Sequence, residues 1–231
     1  MKVICLSAAN VEGARNNSAS VRACEIIREQ WHAIYPQDEV EIVPLLDYEM
    51  KPCRMCGQCQ QSQRCARDEA FNRVFEKLIC ADGLFVVVPH YAPLPSKLMM
   101  LCEKMQEIAF LNWVVDPNYR FPMAGRPAGI IGHGGQETSE AVTAYYQKIL
   151  VDPLGVALGG LAMKIISAGE GSSHGVAFGI RSIARRPGTP FVDIDHDWMD
   201  VGARVAPLVR SMAEAAAGMT GIIPAGAGTA A

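Results

Sequence analysis

The sequence predicts a doubly wound α/β domain, in which helices cover both faces of a parallel β-sheet. Short apolar runs alternate with longer segments of helical periodicity along most of the 231 residues. Five strands that alternate with five helices are typical of this class. Because no internal repeat and no linker divides the chain, we expect a single domain over residues 1–217. Residues 218–231 are rich in glycine and other small residues, and we expect a disordered tail there.

The strands are indicated by short apolar runs. In chain order these runs are KVICLS (2–7), EVEIVPL (39–45), GLFVVVP (83–89), RPAGIIGHGG (126–135) and LAMKIISAG (161–169). Nearly continuous apolar runs are expected of parallel strands that are buried on both faces. The third run is the most apolar, which places it in the centre of the sheet.

The helices are indicated by apolar residues at intervals of three and four. The five segments are residues 17–35, 68–81, 96–110, 137–151 and 200–217. For the first of them, Asn17 or Ser18 is a suitable N-cap and Pro36 lies just beyond the end. Two connections, residues 111–125 and 170–198, are longer than most loops in α/β proteins. Loops of that length are more often functional or involved in oligomers than idle, although a solvated loop is an equally good interpretation of the second.

Composition and charge argue against several classes of function. Half of the residues are hydrophobic, 19% are charged and the formal net charge is −3, as in an ordinary globular protein. We find no basic stretch for nucleic acid, no basic amphipathic helix for a membrane surface and no apolar run that could span a bilayer. The apolar run at the N-terminus is too short for a secretion signal, so we expect a cytoplasmic protein.

Four of the eight cysteines are clustered in a loop at residues 51–67. They are Cys53, Cys56, Cys59 and Cys65. In a reducing compartment such a cluster favours metal or redox chemistry. Thiolates suit iron–sulfur clusters or zinc, and C-x2-C-x2-C is close to the spacing in bacterial ferredoxins. Structural zinc usually takes two separated C-x2-C pairs or histidines, so it fits this spacing less well, and unmetallated thiols are a third possibility. The remaining cysteines lie in strand or helix patterns, where we expect them to be buried.

The loop after the first strand, SAANVEGARNNSAS, is a candidate phosphate site. Ligands of doubly wound sheets bind beyond the carboxyl ends of the strands, and a helix N-terminus with small hydroxyl side chains suits a phosphate. The candidate residues are Ser7, Arg15, Asn17, Ser18 and Ser20, although the serines would serve equally well as helix caps. The loop has no G-x-G-x-x-G motif and no Walker lysine, which argues against a typical dinucleotide-binding fold and against an NTPase.

The loops after the third and fourth strands are also candidates for ligand binding. The first of these, PHYAPLPS, is stiffened by prolines and suits a planar ring, with candidates Pro89, His90, Tyr91, Ala92 and Leu94. The second, GHGGQE, allows a ligand to approach the backbone closely, with candidates Gly132, His133, Gly134 and Gly135. The alternatives are a proline-rich helix entry and a simple strand-to-helix turn.

These three loops, in this order, resemble those of the flavodoxin-like NAD(P)H-dependent FMN reductase family over roughly residues 1–168. The resemblance implies a flavodoxin-like five-stranded parallel sheet that binds FMN. It also implies a flavin-dependent oxidoreductase that forms a homodimer or homotetramer. NAD(P)H, a ferredoxin or a quinone would exchange electrons with it. The protein would bind and tune its cofactors rather than supply catalytic acids or bases.

The cysteine motif resembles that of the iron-sulfur flavoproteins, a subgroup of this family. The resemblance implies a [4Fe-4S] cluster bound by the four clustered cysteines. In the flavodoxin-like strand order, the cysteine loop would open at the same sheet edge as the flavin site. Two other hypotheses remain: a cluster-free NAD(P)H-dependent FMN or quinone reductase, and a non-enzymatic module whose cysteines hold zinc.

Overall fold

A six-stranded parallel sheet forms the centre of the protein in a computed structural model that describes residues 1–11, 18–60, 62–169, 174–180 and 197–220. The strands are β1 (Lys2–Ser7), β2 (Glu39–Pro44), β3 (Gly83–Pro89), β4 (Pro127–Gly134), β5 (Lys164–Ile165) and β6 (Val176–Gly179). They are arranged in the order β2-β1-β3-β4-β5, with β6 also paired to β4. This is the flavodoxin-like order, so the predicted fold class is confirmed.

Helices cover both faces of the sheet. They are α1 (Ala19–Ile34), α2 (Glu69–Ile79), α3 (Ser96–Val115), α4 (Glu140–Tyr146), α5 (Asp152–Gly159) and α6 (Trp198–Thr220). One apolar core lies between the sheet and α1 with α6, and the other between the sheet and α2, α3, α4 and α5. Strand β3 is buried along its whole length, as predicted for the central strand. No helix in the described ranges combines the length and the apolar character needed to cross a membrane.

Two helices extend further than predicted. Helix α3 continues to Val115 instead of ending at residue 110. In its last turns apolar side chains are also exposed to solvent, so no one-sided apolar pattern marks these turns as helical. Pro117 is the first strong helix breaker after them. The helix predicted at residues 137–151 is α4, which passes through a π-helical turn (Gln147–Val151) into α5. Pro153 lies in the first turn of α5, where proline is tolerated, so it does not stop the chain.

The predicted fifth strand at residues 161–169 is reduced to β5 (Lys164–Ile165), and a sixth strand, β6 (Val176–Gly179), lies in the segment predicted as the 170–198 loop. Strand β5 pairs with the start of β4, and β6 pairs with its end. The chain therefore leaves the sheet and returns within the predicted 170–198 loop, of which residues 170–173 and 181–196 lie outside the described part. Gly175 is required at the return, because it has φ +52° and a Cβ there would collide with the Ile130 carbonyl.

The predicted tail begins as helix. Helix α6 includes residues 218–220, so the prediction of a tail starting at 218 was wrong by three residues, and residues 221–231 lie outside the described part.

Candidate functional site

The carboxyl ends of β1, β3 and β4 meet at one edge of the sheet. Ser7 at the end of β1 lies beside Val87 of β3, and Pro89 at the end of β3 lies beside His133 of β4. The backbone N–H of His90 donates to the carbonyl of His133 at 2.8 Å. The strand order reverses between β1 and β3, which is where doubly wound sheets bind ligands. The loops predicted to bind FMN therefore start from one edge.

The first loop ends in the N-terminus of α1. Ser18 is the N-cap, and its hydroxyl accepts a hydrogen bond from the backbone N–H of Val21 at 3.2 Å. The Ser7 hydroxyl is buried and has no hydrogen-bond partner among the described residues. A buried hydroxyl without a partner is costly, and this one lies at the sheet edge beside a helix N-terminus. Arg15 and Asn17 lie outside the described residues.

Ser20 and His133 connect the first loop to the third. Their Oγ and Nε2 atoms are 2.8 Å apart, and the residues are 1% and 4% exposed. This buried hydrogen bond joins the first turn of α1 to the end of β4. Both residues were candidates for cofactor binding, and the structure shows that they bind each other.

The second loop carries two aromatic side chains and a strained residue. The ring centroid of His90 lies 5.4 Å from that of Tyr146 and 5.8 Å from that of Tyr145. Burial raises the pKa of Tyr91, although a hydrogen bond to the backbone of Asn10 partly opposes the rise. Tyr91 thus links the second loop to the first. Ala92 has φ +44°, a conformation that disfavours larger residues and often occurs at functional sites.

The remaining candidates of the second loop lie at its two ends. Pro89 is the last residue of β3. Leu94 is partly buried and packs against the apolar core below α3, so its side chain helps to anchor the loop.

Two of the three candidate glycines belong to β4 instead of a loop. A Cβ at Gly132 would lie 2.8 Å from Cγ2 of Val151, and one at Gly134 would overlap the hydroxyl of Tyr146. These two glycines therefore let α4 and the π-helical turn pack against the sheet. Gly135 follows the strand, and a Cβ there would meet nothing.

All four clustered cysteines line one cavity of about 350 Å³. Its other lining residues include four basic side chains, which are Lys51, Arg54, Arg67 and Lys104. Within the described ranges, no three His, Cys, Asp or Glu side chains are arranged to hold a single metal ion.

Hydrogen bonds fix both ends of the cysteine loop. At one end the amide side chain of Asn72 accepts from the N–H of Cys65 and donates to its carbonyl, both at 2.9 Å. At the other end the N–H of Cys53 donates to Oε2 of Glu103 at 3.2 Å. The Cys53 sulfur also accepts from the N–H of Met55 at 3.4 Å, a contact of the kind that tunes metal-bound sulfur.

A buried ion pair lies in the wall of the cavity. The Asp68 carboxylate binds Lys104 and accepts hydrogen bonds from the N–H groups of Lys51 at 2.7 Å and Phe71 at 3.0 Å. Burial alone would raise the pKa of Asp68, but these hydrogen bonds hold that pKa below its usual value. The Lys104 ammonium also lies 5.3 Å from the centre of the Phe71 ring. Asp68 therefore joins the cysteine loop to both α2 and α3.

The cavity lies beside the middle of α3 and not at the carboxyl edge. Lys104 is eight residues beyond Ser96, which corresponds to about 12 Å along a helix axis, and Ser96 directly follows the second loop. The cysteine loop leaves from β2 at the predicted edge, but its thiols lie lower on the flank of the domain. Helix α3 therefore connects the two candidate sites.

The other four cysteines are not all buried. Cys5, Cys24 and Cys102 are buried as predicted, and burial raises the pKa of all three thiols, that of Cys102 to about 12. The prediction was wrong for Cys80, which is exposed because it caps the C-terminus of α2 instead of facing the core. Burial also raises the pKa of Cys59 within the cavity.

Several residues beside the predicted ligands were not among the candidates that the sequence indicated. Lys104 is the clearest, since it shares one face of α3 with Leu101 and Ile108 at intervals of three and four residues. A lysine in an apolar stripe is a recognisable sign of a buried charge. The roles of Asn72 and Tyr146 depend on tertiary contacts, so no local pattern could have revealed them.

The chain has relatives among iron-sulfur flavoproteins. It is 27% identical over 138 residues to the iron-sulfur flavoprotein of Methanosarcina thermophila, a match that covers 59% of this chain and 68% of the relative. It is 26% identical over 117 residues to an iron-sulfur flavoprotein of Methanocaldococcus jannaschii, covering 49% and 58%.

A similar fold occurs in RosB, solved with the bound intermediate 8-demethyl-8-formylriboflavin-5'-phosphate. The two structures align with a TM-score of 0.59 and 15% identity over 96% of this chain and 81% of RosB. The model of a family described as NADPH-dependent FMN reductase matches residues 1–165, which is most of the chain. The protein therefore belongs to the NADPH-dependent FMN reductase family of flavin-dependent oxidoreductases.

Proposed function

We propose that this protein binds FMN at the carboxyl edge of its sheet and a [4Fe-4S] cluster in the four-cysteine cavity, and transfers electrons between them. The observation that carries the proposal is that Cys53, Cys56, Cys59 and Cys65 all line one cavity. The names of the two archaeal relatives support it. When bound, the cluster would supply single-electron transfer, and FMN would couple it to two-electron chemistry.

The spacing of the cysteines suits a cluster better than a zinc ion. Structural zinc usually takes two separated C-x2-C pairs or histidines, whereas C-x2-C-x2-C is close to the spacing in bacterial ferredoxins, in which thiolates bind the irons of a cluster. The cavity of about 350 Å³ that the four cysteines line leaves room for such a cluster.

The carboxyl edge of the sheet suits FMN. The N-terminus of α1 and the unpaired hydroxyl of Ser7 would bind the phosphate, and the 89–94 segment would lie against the isoalloxazine ring. The hydrogen bond between Ser20 and His133 joins the first loop to the third, and the Tyr91 hydroxyl lies near the backbone of Asn10 in the first loop. Preorganised loops reduce the entropic cost of binding a cofactor. Gly135, with open space around it, is the candidate glycine best suited to a close approach.

The chain's own residues would hold the two cofactors at a set separation. Helix α3 begins directly after the ring-binding loop and contributes Glu103 and Lys104 to the cysteine site. Electrons would therefore pass between the two sites along one helix, α3. We propose NAD(P)H or a ferredoxin as electron donor, and a quinone or another small molecule as acceptor. We also propose a cytoplasmic homodimer or homotetramer, in which a cluster could face the flavin of a neighbouring subunit.

Stepwise anaerobic reduction of the purified protein tests the proposal. We expect the flavin absorbance to bleach and the electron paramagnetic resonance signal of a reduced cluster to appear in the same titration, with NAD(P)H or reduced ferredoxin as reductant. A flavin that is reduced without any cluster signal, in protein free of iron, would instead support the cluster-free reductase. A colourless protein that contains zinc would refute both flavin proposals.

The cluster-free NAD(P)H-dependent FMN or quinone reductase is the second candidate function. The observation in its favour is that, among the residues that the structure describes, the contacts at the carboxyl edge involve no cysteine of the 51–67 loop. The FMN site could therefore operate with free thiols in the cavity, of which that of Cys56 is exposed.

A further inference from the structure

The buried ion pair of Asp68 and Lys104 faces the space where the cluster would lie. Both residues line the four-cysteine cavity, and their side chains are 2% and 3% exposed. The other basic residues of the cavity, Lys51, Arg54 and Arg67, are exposed to solvent. Solvent and salt screen those three charges much more strongly than the buried pair.

Stability alone is a poor explanation for this pair. A buried ion pair is often no more stabilising than apolar residues of similar volume, because both charges lose their hydration. Lys104 occupies the apolar face of α3, between Leu101 and Ile108, where a leucine or methionine would fit the pattern. The positive charge of Lys104 at this position is better explained by an interaction with a group bound in the four-cysteine cavity.

The charge of a cluster makes its reduction sensitive to nearby charges. Four thiolates and a [4Fe-4S] core carry a net negative charge, which increases by one unit when the cluster accepts an electron. A positive charge nearby stabilises the reduced form and raises the midpoint potential, whereas a negative charge lowers it. Lys104 and Asp68 would therefore act in opposite directions.

We propose that Lys104 and Asp68 together set the reduction potential of the cluster, with Lys104 raising it and Asp68 lowering it. This inference rests on the proposed function, because it requires a cluster in the cavity. The step is the transfer of one electron from the reduced flavin to the cluster, with no bond formed or broken. Three hydrogen-bond donors hold the carboxylate of Asp68, so both charges have fixed positions.

Midpoint potentials of cluster-loaded variants test the inference. The full-length protein is prepared anaerobically as wild type, Lys104→Met, Asp68→Asn and the double variant, and titrated with electron paramagnetic resonance detection. We expect a shift to lower potential for Lys104→Met, a shift to higher potential for Asp68→Asn, and a value close to wild type for the double variant. Lys77→Met is the matched control, since Lys77 pairs with Glu41 away from the cavity, and we expect no shift.

The outcomes separate this inference from the proposed function. Wild-type protein that never binds iron would refute the proposed function and this inference with it. Iron-loaded variants whose potentials do not move, or move in the same direction, would overturn this inference alone. If Lys104→Met does not fold because Asp68 is left unpaired, Asp68→Asn decides the question. Asparagine keeps the oxygen that caps α2 by accepting from the N–H of Phe71. Its NH2 group replaces the oxygen that accepts from Lys51 and Lys104, so the unfolding free energy of this variant is measured beside its potential.

Discussion

Cys65 is the clustered cysteine whose backbone the protein holds most firmly. Both hydrogen-bonding groups of its main chain are bound by Asn72, a buried residue of α2. Its thiol is thus positioned before any metal binds. If a cluster needs four anchors, Cys65→Ala should lose most of the iron and retain FMN. Iron and flavin analysis of anaerobically purified protein checks this. Cys80→Ala, at an exposed cysteine outside the cavity, should keep both, and unchanged iron in Cys65→Ala would refute the four-cysteine site.

Asn72 is expected to contribute to folding as well as to the site. Asn72→Ala removes the two hydrogen bonds to Cys65 and a third to the Glu69 carboxylate, and it leaves the backbone groups of Cys65 partly unsatisfied. Losses of this kind cost about 1–3 kcal/mol, which urea denaturation of the metal-free protein would detect. Asn118→Ala, at an exposed position, should change the unfolding free energy little. An Asn72→Ala variant as stable as wild type would show that these hydrogen bonds contribute no net stability.

The eight thiols should differ in their reactivity towards an alkylating agent. Burial raises the pKa of Cys5, Cys24 and Cys102, and the thiolate is the reactive form. At neutral pH these three thiols should stay unmodified until the protein unfolds. Raising the pH should increase their rate of alkylation only when the pH approaches their raised pKa values. The exposed Cys56 and Cys80 should react first in metal-free protein, as mass spectrometry would show. Rapid labelling of Cys102 in the native state would contradict the buried core.

At the scale of elements, the packing of α4 on β4 requires a glycine at position 134. A side chain there would overlap the hydroxyl of Tyr146. Gly134→Ala should therefore destabilise the protein by about 1–3 kcal/mol, as overpacking of a core usually does. Gly135→Ala, where a Cβ would meet nothing, is the control and should be nearly neutral. Thermal or chemical denaturation gives both values, and equal stabilities would refute the close packing.

Elements with a strong local pattern could be predicted, and those set by tertiary contacts could not. The bounds of β1 and β3 match the prediction, because a buried strand is a continuous apolar run with clear ends. It could not be predicted that two strands, β5 and β6, would pair with β4 on the same side. Both segments are short, and their places depend on pairing with β4, which is distant in sequence. The end of α3 was not predicted, because the apolar residues of its last turns are not confined to one side of the helix.

The same distinction applies to the candidate sites. The cysteine spacing predicted a common site, and the structure brings the four residues to one cavity. The roles of Gly132 and Gly134 in packing could not be predicted, since they depend on where Tyr146 and the π-helical turn lie. The position of the cavity beside the middle of α3 also follows from tertiary contacts, such as that between Cys53 and Glu103.

In the whole molecule, we propose, one chain binds both FMN and a cluster. The flavodoxin-like strand order creates the edge for the flavin, and α3 connects it to the cysteine cavity. Within the described residues the two candidate sites share no side chain, so we expect that each cofactor can be lost without the other. The FMN content and the iron content of one preparation therefore report on the two sites separately.

The most direct test is the content of iron, acid-labile sulfide and FMN in wild-type protein prepared without oxygen. We expect one FMN together with about four irons and four sulfides for each chain, as a [4Fe-4S] centre requires. Protein that is saturated with FMN but contains neither iron nor sulfide, even after anaerobic reconstitution with both, would contradict this expectation.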